Sequence, residues 1–213
     1  MKIYACYSPS HAPLVEQHLI PSIPTGFELI LREVSQHCPS GSYGQPGWQE
    51  AMGAKIEMIR DAIKNSKNHE CFIACDADVR FHRLCPTDVS LRDGTDIAYA
   101  LDYPIAKRHD VHYCAGFAVI RPSRASQTLY DLLHHYTRLL GSEQKALHQK
   151  VLPIMQELIT VEHLPPDRFW SLPHPVPISY NLAAYHASWV HGVNAKLGFL
   201  DAVKNLLETF PCS

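Results

Sequence analysis

The stretch Cys71-Phe72-Ile73-Ala74-Cys75-Asp76-Ala77-Asp78-Val79-Arg80-Phe81 decides how the rest of this chain is read. Residues 71–75 are apolar without alternation, which suits a strand covered on both faces, as in a parallel sheet. Asp76 and Asp78 follow the end of that strand, and Val79 and Phe81 then resume an apolar pattern. In extended chain, residues two apart point the same way, so the two carboxylates are expected to converge beyond the strand's C-terminal edge. In open α/β sheets ligands bind at that edge. Paired carboxylates repel each other unless positive charge lies between them. A divalent cation that prefers oxygen satisfies both, and can in turn hold a diphosphate. The plainer alternative is a turn or a helix cap, where Asp-x-Asp also arises by chance.

Working outward, Lys2 to Tyr7 and Phe27 to Val34 read as strands, separated by the loop chemistry of Ser8-Pro9-Ser10-His11-Ala12-Pro13 and a short helix from Pro13 through Ile20. Gln36 to Gly47 carries Pro39, Gly41, Gly44, Pro46 and Gly47 and is a loop long enough to be functional. From Trp48 the period changes. Trp48, Met52, Ile56, Ile59 and Ile63 recur every three or four residues, which predicts a helix to about Asn65. Asp96 to Leu101 and Tyr113 to Ile120 are further strands. Ser123 to Leu140 is a helix with Leu129, Leu132, Leu133 and Tyr136 inward. Glu143 to Ile159 is another, broken or kinked at Pro153. Leu164 to Tyr180 holds five prolines and cannot be a regular helix, and a last helix runs from about Asn194 to Leu207. Strands alternating with helices imply an α/β sandwich. With no internal repeat and no composition break, residues 1–213 are expected to form one domain.

Composition narrows the function. The chain is 46% hydrophobic and 19% charged, with a formal net charge of -2 and no long run of one sign. That argues against broad binding to nucleic acid or anionic membrane. The N-terminus lacks the apolar core of a signal peptide, and nothing is long and apolar enough to span a bilayer. The seven cysteines are an odd number, several within apolar runs. A reduced, cytoplasmic protein is the expectation. The fourteen histidines are scattered and no CxxC is present, which counts against a zinc or redox protein.

A second signal lies in Tyr185 to Gly198, YHASWVHGVNAKLG. His186 can supply a neutral imidazole to the same cation. Gly192 lets backbone approach a phosphate closely. Lys196, near the start of the last helix, can neutralise a diphosphate together with that helix's N-terminal N–H groups. Taken singly, each is more readily an ordinary surface or core residue. Asp102 follows a strand and bonds sugar hydroxyls, or acts near the reacting carbon, or sits in a turn before Pro104. Gly116 admits a ligand closely or marks a bulge. Tyr43, Trp48 and Trp189 stack on base or sugar, or pack in the core. Arg121 is read as a packing or capping residue.

In order and context these pieces resemble the nucleotide-diphospho-sugar transferases of the GT-A type, DxD-containing glycosyltransferases with a Rossmann-like fold. Most of the chain takes part. The resemblance implies a central mixed, mostly parallel sheet flanked by helices. It implies a DxD at the end of a central strand holding Mn²⁺ or Mg²⁺, here Asp76 and Asp78. A later histidine in an H-x-n-G-x-x-x-K pattern completes the metal site, here His186 with Gly192 and Lys196. Ser8 in the first loop, Lys55 in the donor-side helix, Ala77 between the aspartates and Gly116 join Asp76, Gly192 and Lys196 as donor-binding positions. Asp102 and Lys196 are the catalytic candidates. The implied activity is sugar transfer from a nucleotide sugar, UDP-linked, to an unknown glycan, protein or small-molecule acceptor, with retention of configuration as is common in the family. Two departures bear on substrate identity. Tyr113-Cys114-Ala115 stands where relatives often carry Asn, and Glu143-Gln144 aligns with an Asp-Gln pair. The rival readings are a non-catalytic nucleotide- or sugar-binding module on the same fold and a metal-dependent nucleotidyltransferase. The second would want a glycine-rich, basic first loop, and Ser8 to Pro13 has neither glycine nor lysine.

Overall fold

In the computed structural model, the structure describes residues 1–38, 44–66, 70–102, 112–172, 175 and 177–209. Nine strands are assigned among them: β1 (Lys2–Tyr7), β2 (Glu28–Glu33), β3 (Phe72–Cys75), β4 (Val79–Phe81), β5 (Ile97–Leu101), β6 (Tyr113–Ile120), β7 (Val161–His163), β8 (Phe169–Ser171) and β9 (Ala184–His186). Six form the main sheet in the order β2-β1-β3-β6-β5-β7. Only β6 runs against its neighbours; β1 pairs in parallel with β2 and β3, and β5 with β7. The sheet is therefore mixed and mostly parallel. The other three strands make a small second sheet, β4-β9-β8.

The unbroken apolarity of β3 has the expected cause. Ile73 and Cys75 belong to a core on one face of the main sheet, with Ile3, Ala5, Phe117 and Val119. Phe72 and Ala74 belong to a core on the other face, with Tyr99, Ala118 and Ile120. Helices α2 (Trp48–Asn65) and α3 (Arg124–Leu140) cover that second face, burying Ile56, Ile59 and Ile63 from one and Leu129, Tyr130 and Leu133 from the other. Each such aliphatic side chain contributes about 1.5–3 kcal/mol when fully buried. Helical turns over residues 9–22, which include the three-residue α1 (Ala12–Leu14), lie where the first short helix is expected. A third core lies under the last helix, with Leu14, Tyr185, Leu200 and Val203. No helix among the described residues is long and apolar enough to cross a membrane.

The structure departs from the sequence reading at several points. Residues 143–155 follow one helical path, from α4 (Glu143–Ala146) to α5 (Leu152–Met155), and do not break. The turn over Leu147–Val151 widens instead, immediately before Pro153, which has no N–H to donate. Strands β7, β8 and β9 are three residues each, and their sequences carry no period long enough to announce them. The proline-rich stretch is not helical, but it does contain β8. Most consequentially, residues 76–78 are not extended: the Val79 N–H donates to the Asp76 carbonyl (3.3 Å) and closes a turn. The two aspartates are brought together by this turn rather than by strand alternation.

Helix α3 begins at Ser123, whose hydroxyl accepts the Ser126 N–H (3.0 Å) and donates to Asp96 Oδ1 (2.7 Å) at the start of β5. It ends at Gly141, in the left-handed conformation with φ 69°. Ser123→Ala is expected to cost about 1 kcal/mol and lower Tm by about 2–4 °C. A melt indistinguishable from the parent would show that this cap does not hold α3.

Candidate active site

The site forms where β3 ends. The Asp76 N–H donates to the carbonyl of Gly116 in β6 (2.9 Å), which fixes the start of the turn. Asp78, at the end of the turn, is buried, and its carbonyl accepts the Ala187 N–H (3.1 Å). Strand β4 then pairs antiparallel with β9, placing His186 opposite Val79. Two residues far apart in sequence thereby face one point. His186 Nε2 lies 3.1 Å from Asp78 Oδ1 and 3.6 Å from Asp76 Oδ2. One ligand atom from each of Asp76, Asp78 and His186 falls within 4.8 Å of the others.

Gly116 makes this approach possible. A Cβ there would lie 2.3 Å from His186 Cε1 and 2.6 Å from Asp76 Oδ2. The pairing of β5 with β6 slips across this segment, between Tyr99 and Ala100. The register slip agrees with the bulge reading of Gly116, and the groups packed against it are the protein's own imidazole and carboxylate.

Positive charge surrounds the aspartates. Lys196, in the first turns of α6 (Val193–Glu208), sets its Nζ 2.5 Å from Asp78 Oδ2. Lys55 is buried in α2 and reaches Asp76 Oδ1 (2.7 Å), Glu143 Oε2 (2.9 Å) and the Ala115 carbonyl (2.8 Å). Three carboxylates thus meet two ammonium groups, and an imidazolium at His186 completes the balance. The ionisation follows. Burial penalises the charged Asp78, yet Lys196 and His186 overcome it and hold its carboxyl well below the usual range. Burial likewise disfavours charge on His186, and Asp78 reverses this, so the imidazole holds its proton well above its ordinary range. Lys55 is also penalised by burial and held charged by Asp76 and Glu143. Glu143 is the weaker member: burial raises its carboxyl against the pull of Lys55.

An open cleft enclosing about 590 Å³ of free space, solvent included, runs beside the cluster over the ends of β1 and β2. Of the expected donor-binding residues, Ser8, Lys55, Asp76, Ala77 and Lys196 line it, as does Trp48. Gly192 stands at the N-terminus of α6 with φ 86°, where no neighbour lies within 4 Å of an added Cβ. Asp102 is buried at the end of β5, and its Oδ1 accepts the indole N–H of Trp189 (2.7 Å). Tyr43 lies outside the described residues. Arg121 donates to the carbonyls of Leu91 and Arg92, as a packing residue does.

Three contributors were invisible or half visible in the sequence. Glu143 acts through Lys55. Gln144 accepts the Ala115 N–H (2.9 Å) and donates to the Tyr113 carbonyl, so it clamps the slipped part of β6. Cys114 places its sulfur 3.5 Å from His186 Nδ1. The Asp-Gln alignment marked the first two positions without their partners.

No family model matches the chain, and no curated protein is similar to it in sequence. Solved structures are similar in fold. A glycosyltransferase involved in glycosylation of the major capsid of PBCV-1 superposes with a TM-score of 0.68 at 10% identity, over 94% of this chain and 98% of that one. The galactosyltransferase LgtC, in complex with donor and acceptor sugar analogues, gives 0.60 at 8% identity over 100% and 97%. GlyE of Streptococcus pneumoniae TIGR4 gives 0.58 at 10% identity over 98% of this chain and 63% of that one. With its mixed sheet and flanking helices, the chain has the GT-A fold of glycosyltransferases.

Gly116→Ala is expected to push the His186 ring away from Asp76, since a methyl group cannot occupy the space between them. The measurement is a crystal structure of the variant together with calorimetric Mn²⁺ titration. An unmoved imidazole and unchanged cation affinity would overturn this account of Gly116.

Proposed function

We propose that this chain is a single-domain, divalent-cation-dependent glycosyltransferase that transfers a sugar from a UDP-sugar to an acceptor. The observation that carries the reading is the convergence of Asp76, Asp78 and His186 at the C-terminal edge of the sheet, beside an open cleft. LgtC, of the same fold, has been seen with donor and acceptor sugar analogues, which agrees with a two-substrate site here. Two carboxylates and one imidazole make a donor set that suits Mn²⁺ or Mg²⁺. Bound there, such an ion would neutralise charge developing on a departing diphosphate.

The chain's own residues supply the rest. Asp78 holds Lys196 while its carboxylate lacks another cation; with that charge met, Lys196 is free to donate to phosphate oxygens. The first N–H groups of α6 and the open backbone at Gly192 point to the same task. Lys55 and Glu143 hold Asp76 in place from behind, so its orientation is set before any substrate arrives. Trp48 offers an aromatic surface in the cleft for base or ribose. A cytoplasmic setting is part of the same reading, and no disulfide forms among the described cysteines.

Thermal denaturation with UDP, GDP and CDP, each with and without Mn²⁺, tests the donor and the metal together. UDP with Mn²⁺ is expected to raise Tm by about 5–10 °C at ~100-fold Kd, and Asp78→Asn is expected to remove the Mn²⁺-dependent part. Full metal-dependent turnover of Asp78→Asn would sink the metal assignment. Nucleotide binding without donor cleavage would instead favour a binding module.

We also propose retention of anomeric configuration, in line with the family that the motifs resemble. The product anomer is read by ¹H NMR during turnover, before mutarotation. An inverted product would refute this.

A further inference from the structure

Trp189 combines three features that a packing residue does not need. Among the described residues it is the one non-glycine with positive φ, at 58°. A bulky side chain rarely adopts that backbone, and such outliers cluster at ligand clamps. Its surface is 53% exposed although it is the largest kind of apolar side chain. Its indole N–H is nevertheless fixed, donating to the carboxylate of buried Asp102 at 2.7 Å. The turn that carries it is also anchored: Ser188 Oγ donates to the Leu172 carbonyl (2.7 Å), and the Val190 N–H to that of Ala187 (3.4 Å). The ring is thus held in one orientation with much of its surface toward solvent.

Its place in the fold is equally specific. The cleft described above lies over the ends of β2, β1 and β3. Asp102 ends β5, which runs parallel to β7 and opposite to β6, so it lies at the same edge of the sheet. In the order β3-β6-β5 it is two strand spacings, roughly 10 Å, beyond the Asp76 turn. Neither Asp102 nor Trp189 lines the cleft. The cation cluster therefore stands between the cleft and this pair.

We propose that Trp189 and Asp102 form the acceptor subsite, and that the acceptor group it takes is a pyranose ring. The proposal rests on the transferase reading, which needs a second substrate to meet the donor at the cluster from the other side. A hexopyranose presents one face of C–H groups edged by hydroxyls. A fixed aromatic face matches the C–H groups, and the hydroxyls need acceptors nearby. Asp102 meets that need: among the described residues its side chain has no hydrogen-bond partner other than the Trp189 indole. The indole bond holds both groups at the spacing of a ring and its rim. A serine or threonine acceptor on a protein has no such face to offer.

The chain has three tryptophans, so ¹⁵N–¹H spectra resolve three indole signals, and Trp189→Phe identifies that of Trp189. The probes are methyl α- and β-hexopyranosides of glucose, galactose and mannose, added with and without saturating UDP and Mn²⁺. At least one is expected to shift the Trp189 indole signal. Trp189→Gly should weaken affinity by about tenfold or more, because the aromatic face is lost. Glycine relaxes the positive φ, so this variant is expected to fold. Equal binding by Trp189→Gly overturns the subsite. So does an unmoved indole with every probe, and if UDP with Mn²⁺ still stabilises the protein, only the subsite is lost. Absence of both responses refutes subsite and transferase reading together, whereas sugar binding at Trp189 without nucleotide binding upholds the subsite alone.

Discussion

Two carboxylates at the end of a buried strand cannot be left facing each other, and the structure is arranged around that repulsion. Asp76 and Asp78 are each met by a lysine from a different helix, and both lie against His186. Burial makes every one of these contacts matter more. Removing a single partner from a buried ion pair leaves the other charge uncompensated, at a cost of about 3–5 kcal/mol. The consequence reaches outward. Glu143 sits behind Lys55, Gln144 braces the backbone next to Gly116, and Gly116 carries no side chain because the imidazole and carboxylate need its space.

That balance is internal to the cluster. Without a bound cation, Lys196 and a protonated His186 supply the charge that Asp78 requires. Asp76, Asp78 and His186 are the residues that would hold a divalent ion, and its charge would meet the same need of Asp78 that Lys196 meets here. Lys55 differs: with three protein acceptors around its ammonium, it is a strut for Asp76.

The cleft and the Asp102–Trp189 pair stand apart along one edge of the sheet. The cleft lies over the parallel half, β2-β1-β3, and the Asp102–Trp189 pair over β5. Strand β6, the one reversed strand, runs between them and carries Gly116 at its slipped register. The small sheet β4-β9-β8 returns His186 from the far end of the chain to the Asp76 turn. Its strands are too short to be stable alone and are held by their packing against the main core, where Phe81, Phe117 and Phe169 meet.

What the sequence determined by itself was local. The period of α2, the continuous apolarity of β3, the extent of β6 and the placing of two aspartates at a strand's end all follow from how side chains face their own element. Those properties repeat along the chain and can be read from it. The grouping of Asp76, Asp78, His186 and Lys196 was legible only through the order of loosely spaced motifs. Tertiary structure alone decided that residues 76–78 turn, that Lys55 bridges Asp76 to Glu143, that Gly116 faces His186 and that Trp189 reaches Asp102. The last three join positions far apart in the chain, and the turn itself starts from the bond of Asp76 to the distant Gly116 carbonyl. Such long-range pairing is set by packing across the whole core, and no local pattern records it.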